Sequence, residues 1–133
     1  MPSRKKWRSI LCINEDQQQL NMQGLVLGSM ANLSVYYCNS LHKAVDLMKA
    51  VQPDVVLFDS QDNDDIQSIL KGLFSEEEMT IPFICLVNTD QYLDLAQVEQ
   101  QNMLGVIVKP IELLQLPERV LDILEFDLID LCV

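Results

Sequence analysis

The stretch Pro53-Asp54-Val55-Val56-Leu57-Phe58-Asp59 decides the fold of this chain. Its apolar residues form a short run between a proline and a polar segment, which is typical of a strand buried on both faces of a parallel sheet. Asp59 then lies at the carboxyl end of that strand, where ligands bind in open α/β sheets. On position alone, the carboxylate either belongs to a functional site or caps the turn that follows.

The composition favours one globular domain. A chain of 133 residues is long enough for one core and too short for two. Nine basic and twenty acidic residues give a net charge of −11, which repels phosphate backbones and anionic lipids. We therefore expect neither nucleic acid nor a membrane as a partner, and no apolar stretch approaches the length of a membrane span.

The four cysteines and the single histidine indicate no metal or disulfide framework. The cysteines have no CxxC spacing, and three of them, Cys12, Cys38 and Cys85, lie in apolar strand-like runs. Free, buried thiols in a reducing compartment explain this pattern. The chain also starts with charged residues and lacks the apolar segment of a secretory signal, so we expect a cytoplasmic protein. His42 is predicted to lie on a helix surface.

The chain divides into a basic N-terminal tail (1–8), one domain (9–126) and a short C-terminal tail (127–133). Four of the nine basic residues lie in the first segment, which we predict to be solvated around Trp7. The last segment either continues the final helix or exposes a small apolar patch.

Hydrophobic periodicity predicts five buried strands that alternate with five helices. The predicted strands are 9–13, 34–38, 53–59, 82–87 and 104–108. The predicted helices are 17–30 with Asp16 as its cap, 41 to Pro53, 66–73, a more polar helix through Tyr92, Leu95, Ala96 and Glu99, and one starting near Pro117. Short loops between them give an α/β fold, a (βα)5 doubly wound parallel five-stranded sheet with the flavodoxin-like order 2-1-3-4-5.

This strand order brings the ends of the first and third strands together. The first strand runs into Asn14 and Glu15, so these residues should converge with Asp59. Neighbouring carboxylates stay ionised together only beside a cation, and oxygen ligands suit Mg²⁺. Lys109 ends the fifth strand on the same rim and adds a positive charge. Such a group of side chains is suited to accept a phosphoryl group on a carboxylate oxygen.

With these motifs the chain resembles the receiver domain of two-component response regulators, from about Ser9 to Phe126. The matching pieces are the acid-bearing end of the first strand, the Asp59 strand, Ile81-Pro82-Phe83-Ile84 and Gly105-Val106-Ile107-Val108-Lys109-Pro110. The resemblance implies that Asp59 is the phosphoacceptor, that Lys109 contacts the phosphoryl group, and that Lys109-Pro110 is a cis peptide. It also implies a Mg²⁺ site at Asp59, Glu15, Gln61 (through its backbone carbonyl) and Asn14.

The chain departs from the receiver pattern at several positions. Asn14 replaces the first of two adjacent acids and Glu15 is longer than the usual aspartate, so we expect Mg²⁺ binding to be weak or absent. Val87 stands where receivers carry a serine or threonine, whose hydroxyl bonds to the phosphoryl group. Val87 cannot form this hydrogen bond, and a hydrogen bond to a charged group is worth about 1.5–3 kcal/mol. Val106 replaces the aromatic residue of the fifth strand that usually rotates when a receiver is activated. The residues therefore predict an atypical receiver.

Two functional hypotheses remain open at this point. In one, the chain is a stand-alone receiver that takes a phosphoryl group from a histidine kinase or phosphotransfer protein and signals to a downstream protein. In the other, it is a degenerate receiver that binds a protein without phosphorylation, through the face around Tyr92, Leu95 and Val106, where a homodimer could also form. We expect no enzyme activity beyond self-phosphorylation and slow autodephosphorylation. An enzyme or cofactor binder is disfavoured, because no glycine-rich phosphate loop follows the first strand.

Overall fold

The computed structural model of this chain describes residues 7–61, 65–73, 80–88 and 102–132. The strands are β1 (Ser9–Ile13), β2 (Ser34–Cys38), β3 (Val55–Asp59), β4 (Phe83–Asn88) and β5 (Met103–Lys109). The helices are α1 (Gln17–Met30), α2 (Leu41–Val51), α3 (Ile66–Leu73) and α4 (Leu116–Cys132), with a 3-10 turn at Leu113–Gln115. The helix predicted through Tyr92, Leu95, Ala96 and Glu99 lies outside the described residues.

The five strands form one parallel sheet in the order β2-β1-β3-β4-β5. This confirms the predicted flavodoxin-like order. β1 and β3 are direct neighbours, with Ile13 paired to Phe58, so the residues that follow this pair meet at one edge of the sheet. Asn14 and Asp59 therefore come from adjacent strand ends.

Helices cover both faces of the sheet because successive side chains of a strand point to opposite sides. Ile10 and Cys12 of β1 belong to an apolar cluster that includes residues of α1 and α4. Leu11 and Ile13 of the same strand belong to a second cluster, which includes residues of α2 and α3. The continuous apolar sequence of β1 is thus explained by two cores, one on each face.

The prediction of five buried strands is wrong for the two outer strands. Every residue of β3 is buried, and β4 is buried up to Val87. In β2, by contrast, Tyr36 and Tyr37 are exposed, and most residues of β5 are only half-buried. An edge strand has a neighbour on one side only, and helices cover it less completely.

At both ends of the domain, described residues of the predicted tails contact or continue its elements. Trp7 is half-buried and packs against the first apolar cluster, so the prediction of a solvated environment is wrong for this residue. The backbone N–H groups of Arg8 and Ser9 donate to the Asp54 carboxylate at 2.7 and 3.1 Å. At the other end, the backbone of α4 continues through Cys132, which is the first of the two predicted options.

None of the helices in the described ranges has both the length and the apolar character that crossing a membrane requires.

Candidate functional site

Three strand ends form the candidate site at the carboxyl edge of the sheet. Asp59 is the last residue of β3 and only 3% exposed, while Asn14 directly follows β1 and is fully buried. Lys109 ends β5, and its side chain is 22% exposed. A buried carboxylate thus faces a lysine that still reaches solvent. The Lys109-Pro110 peptide bond is cis, as the resemblance implied.

Lys109 complements one oxygen of the Asp59 carboxylate. Its ammonium group donates to Oδ1 at 2.6 Å and to the backbone carbonyl of Ser60 at 2.7 Å. A buried charge is stable only when a partner and hydrogen bonds replace its hydration. The ion pair therefore balances the charge of Asp59 inside the protein.

Two neutral amides complement the other oxygen. Gln23 Nε2 donates to Asp59 Oδ2 at 2.6 Å, and Asn14 Nδ2 donates to the same atom at 3.1 Å. We call Asn14 and Gln23 the amide pair. Hydrogen bonds to an ionised acceptor are stronger than those between neutral groups. Both oxygens of Asp59 are consequently engaged, one by a charge and one by amide dipoles.

The orientation of the Asn14 amide is fixed from its other end. Its Oδ1 accepts hydrogen bonds from the backbone N–H of Asp16 at 2.9 Å and from Gln61 Nε2 at 3.0 Å. Because both partners are donors, they require the oxygen of the amide on their side. The Nδ2 group must then point toward Asp59. The Asn14 side chain is therefore a fixed donor to the carboxylate.

Gln23 is the residue that sequence reasoning missed. It lies on α1 and is buried, three residues after Leu20 and four before Leu27, which are both fully buried. Residues at this spacing share one helix face. A glutamine on an otherwise apolar, core-facing stripe was the available signal. Asp16 caps the same helix as predicted, accepting from the Gln19 N–H at 3.2 Å.

Two of the predicted Mg²⁺ ligands, Glu15 and Asn14, do not offer a free oxygen beside Asp59 in this arrangement. Glu15 is exposed, and its carboxylate is not among the groups that contact Asp59. Asn14 turns its nitrogen rather than its oxygen to the carboxylate. The Gln61 side chain donates to Asn14, and the part of the prediction that concerns the Gln61 backbone carbonyl stays a prediction. Divalent cations of this kind need oxygen ligands with free lone pairs. In the described part of the chain, no cluster of three or more His, Cys, Asp or Glu side chains could hold a metal ion.

The altered switch positions, Val87 and Val106, are apolar residues of β4 and β5. Val87 is buried in β4 and pairs with Val108 of β5. Val106 is half-buried and packs against the second apolar cluster. The hydroxyl of Ser60, the residue after Asp59, donates to the Leu86 carbonyl at 2.9 Å.

Cys12 and Cys85 are structural rather than reactive cysteines. Cys12, Cys38 and Cys85 are free and buried, as predicted. Burial disfavours the thiolate and raises the pKa of both Cys12 and Cys85 to about 12. Near neutral pH these two thiols stay protonated and are not nucleophiles.

Comparisons with known structures agree with the fold of this chain. The receiver domain protein (CheY-like) of Methanospirillum hungatei is similar over 91% of this chain and 97% of its own, with a TM-score of 0.72 and 18% identity. A response regulator from Desulfuromonas acetoxidans matches over 90% of this chain and 98% of its own, with a TM-score of 0.68 and 19% identity. The chemotaxis response regulator CheY4 of Vibrio cholerae matches over 89% and 99%, with a TM-score of 0.70 and 14% identity.

These similarities establish the fold. The chain has the receiver-domain fold of response regulators, as the sequence motifs indicated. A scan against protein-family models finds no match, and a search of curated proteins finds none either. A fold hosts many functions, so the function has to be argued from the site.

Proposed function

We propose that this chain is a receiver of a two-component phosphorelay that accepts a phosphoryl group on Asp59. The observation that carries the proposal is the pairing of a buried carboxylate at the end of β3 with the partly exposed Lys109 of β5, 2.6 Å apart. The receiver-domain fold supports it, because the pair lies at the edge where ligands bind in such sheets.

The chemistry would be a phosphoryl transfer. A carboxylate oxygen of Asp59 attacks the phosphorus of a phosphohistidine, the O–P bond forms, and the P–N bond breaks. The imidazole nitrogen leaves with the bonding electron pair. Lys109 already donates to Asp59 and reaches solvent, so its ammonium group is placed to neutralise charge on the incoming phosphoryl oxygens.

The partners that this function requires are a histidine kinase or phosphotransfer protein and a downstream protein target. The net charge of −11 supports proteins rather than nucleic acid or membrane as partners. A homodimer through the face around Tyr92, Leu95 and Val106 stays a prediction; only Val106 belongs to the described residues. Light scattering over a range of concentrations tests it, and a constant monomer mass would contradict it.

A second candidate function is a protein-binding module that is not phosphorylated. The saturated hydrogen bonding of Asp59 favours it, because Oδ2 already accepts from both members of the amide pair. The buried Val87 favours it as well, since this side chain cannot bond to a phosphoryl group.

Intact-mass analysis after incubation with acetyl phosphate and MgCl2 separates the two functions. We expect a mass gain of one phosphoryl group in the wild type and none in Asp59→Asn. Asp122→Asn is the matched control, because Asp122 is an exposed aspartate on α4. It should be labelled like the wild type.

The same label also locates the modified residue. Peptide fragmentation should assign the added mass to Asp59. If the wild type stays unlabelled while an ordinary receiver is labelled in the same tube, the phosphoacceptor proposal is wrong and the binding module is the better account.

A further inference from the structure

The amide pair occupies the side of Asp59 at which a divalent cation would have to bind. Gln23 Nε2 and Asn14 Nδ2 lie 2.6 and 3.1 Å from Asp59 Oδ2. These are N–H donors, which bind the carboxylate as a cation would and have no lone pair to offer to a metal. They therefore compete with a metal ion for the same oxygen.

The surrounding contacts keep the amide pair in this orientation. Asp16 and Gln61 both donate to Asn14 Oδ1, so the Asn14 side chain cannot turn its oxygen to the carboxylate without losing two hydrogen bonds. Gln23 is buried on α1 and held by the packing of that helix.

The charge balance of the site also disfavours a divalent cation at Asp59. The charge of Asp59 is matched by Lys109, and the amide pair is neutral. Glu15 and Asp16 are both exposed. A divalent ion at Oδ2 would add two positive charges beside an existing ammonium group, with one buried carboxylate to share.

We propose that the amide pair takes the place of a divalent cation at Asp59, and that Gln23 decides this property of the site. The carboxylate is thereby held in position without a metal ion. The proposal concerns the same carboxylate as the proposed function but does not depend on it, because metal binding is measured with no phosphodonor present.

The test compares metal binding by the wild type with that of variants in which a donor becomes an acceptor. Gln23→Glu and Asn14→Asp each replace an amide by a carboxylate of nearly the same shape. Gln18→Glu is the matched control, since Gln18 is exposed on the same helix. Calorimetric titration with MgCl2 gives the affinity, and thermal unfolding in EDTA or in about 10 mM MgCl2 gives the stabilisation.

We expect no binding and no change of melting temperature for the wild type and Gln18→Glu. Gln23→Glu and Asn14→Asp should melt lower in EDTA, because like charges face each other, and MgCl2 should raise their melting temperatures by several degrees. Tight binding of Mg²⁺ by the wild type, with a dissociation constant below about 1 mM, would overturn the proposal.

The outcome remains informative if a variant is unstable. A variant that folds only with MgCl2 supports the proposal, and if neither variant folds, the wild-type titration decides. If both variants fold and respond to MgCl2 no more than Gln18→Glu does, the amide pair is not the reason for the absence of binding, and the proposal is wrong.

Discussion

The two oxygens of the Asp59 carboxylate are complemented in different ways. The charged half of the site consists of Oδ1, the Lys109 ammonium group and the Ser60 carbonyl. The amide half consists of Oδ2, Asn14 and Gln23. The charged half supplies a full positive charge that is partly exposed, whereas the amide half supplies buried dipoles.

This difference separates two properties of the site. The charged half keeps the groups that phosphoryl transfer needs, a carboxylate and a lysine. The amide half donates hydrogen bonds to the carboxylate without adding charge. The opposite charges of Asp59 and Lys109 therefore balance each other. Under the two proposals, the chain retains a phosphoacceptor carboxylate at a site that takes no divalent cation.

The largest effect is expected when the charged half is broken. Lys109→Met leaves the Asp59 carboxylate buried without a counter-charge, which should lower the free energy of unfolding by about 3–5 kcal/mol. Urea denaturation measures this loss. Asp59→Asn combined with Lys109→Met should recover part of it. The control is Lys71→Met, because Lys71 is exposed on α3, and a loss no larger than that of the control would contradict the account.

A smaller effect is expected when the amide half is broken. Gln23→Leu keeps the apolar packing of the side chain but removes one donor to a charged acceptor, which should cost about 2 kcal/mol of unfolding free energy. Gln18→Leu, at an exposed position of the same helix, should change it by less than about 0.5 kcal/mol. Equal losses in the two variants would show that the Gln23 amide contributes nothing specific.

The smallest effect concerns Cys85 in the second apolar cluster, where burial raises the pKa of the thiol. Because folding raises the pKa of Cys85 from 9.0 to about 12, its thiol ionises first in the unfolded chain. The contribution of the protonated Cys85 thiol to the free energy of unfolding is therefore fully present below pH 9 and is lost as the pH rises toward 12.

This linkage is measured by comparing the wild type with Cys85→Ala. Between pH 9 and pH 10 the Cys85 thiol should lower the free energy of unfolding by about 1 kcal/mol, a loss that the variant lacks. Identical pH dependence in the two proteins would show that Cys85 ionises equally in the folded and unfolded states.

The sheet was predictable from sequence because its signals are local. Apolar runs such as the one that ends at Asp59 mark the strands, and short loops between strands and helices fix a parallel order. The same logic predicted that Asn14, Asp59 and Lys109 would meet, since each ends or follows a strand. The same reasoning did not predict how exposed the side chains are. β2 and β5 are less buried than their sequences indicated.

The amide half could not be derived from strand ends. Gln23 reaches the site from a helix, and its contact with Asp59 joins residues 36 positions apart in the chain. Glu15, a predicted ligand, differs from Gln23 in the opposite sense. It is adjacent in sequence to Asn14, but its side chain is exposed while that of Asn14 is buried. Sequence adjacency predicts which residues are near the site, and side-chain direction decides which of them enter it.

The amide half is tested most directly by the NMR signals of the Gln23 side-chain amide. A short hydrogen bond to a carboxylate should shift one Nε2 proton downfield of the same proton in the exposed Gln18, and Asp59→Asn should move it back. The account predicts this shift in the wild type without any metal. A Gln23 signal that coincides with that of Gln18 and ignores the Asp59 substitution would contradict it.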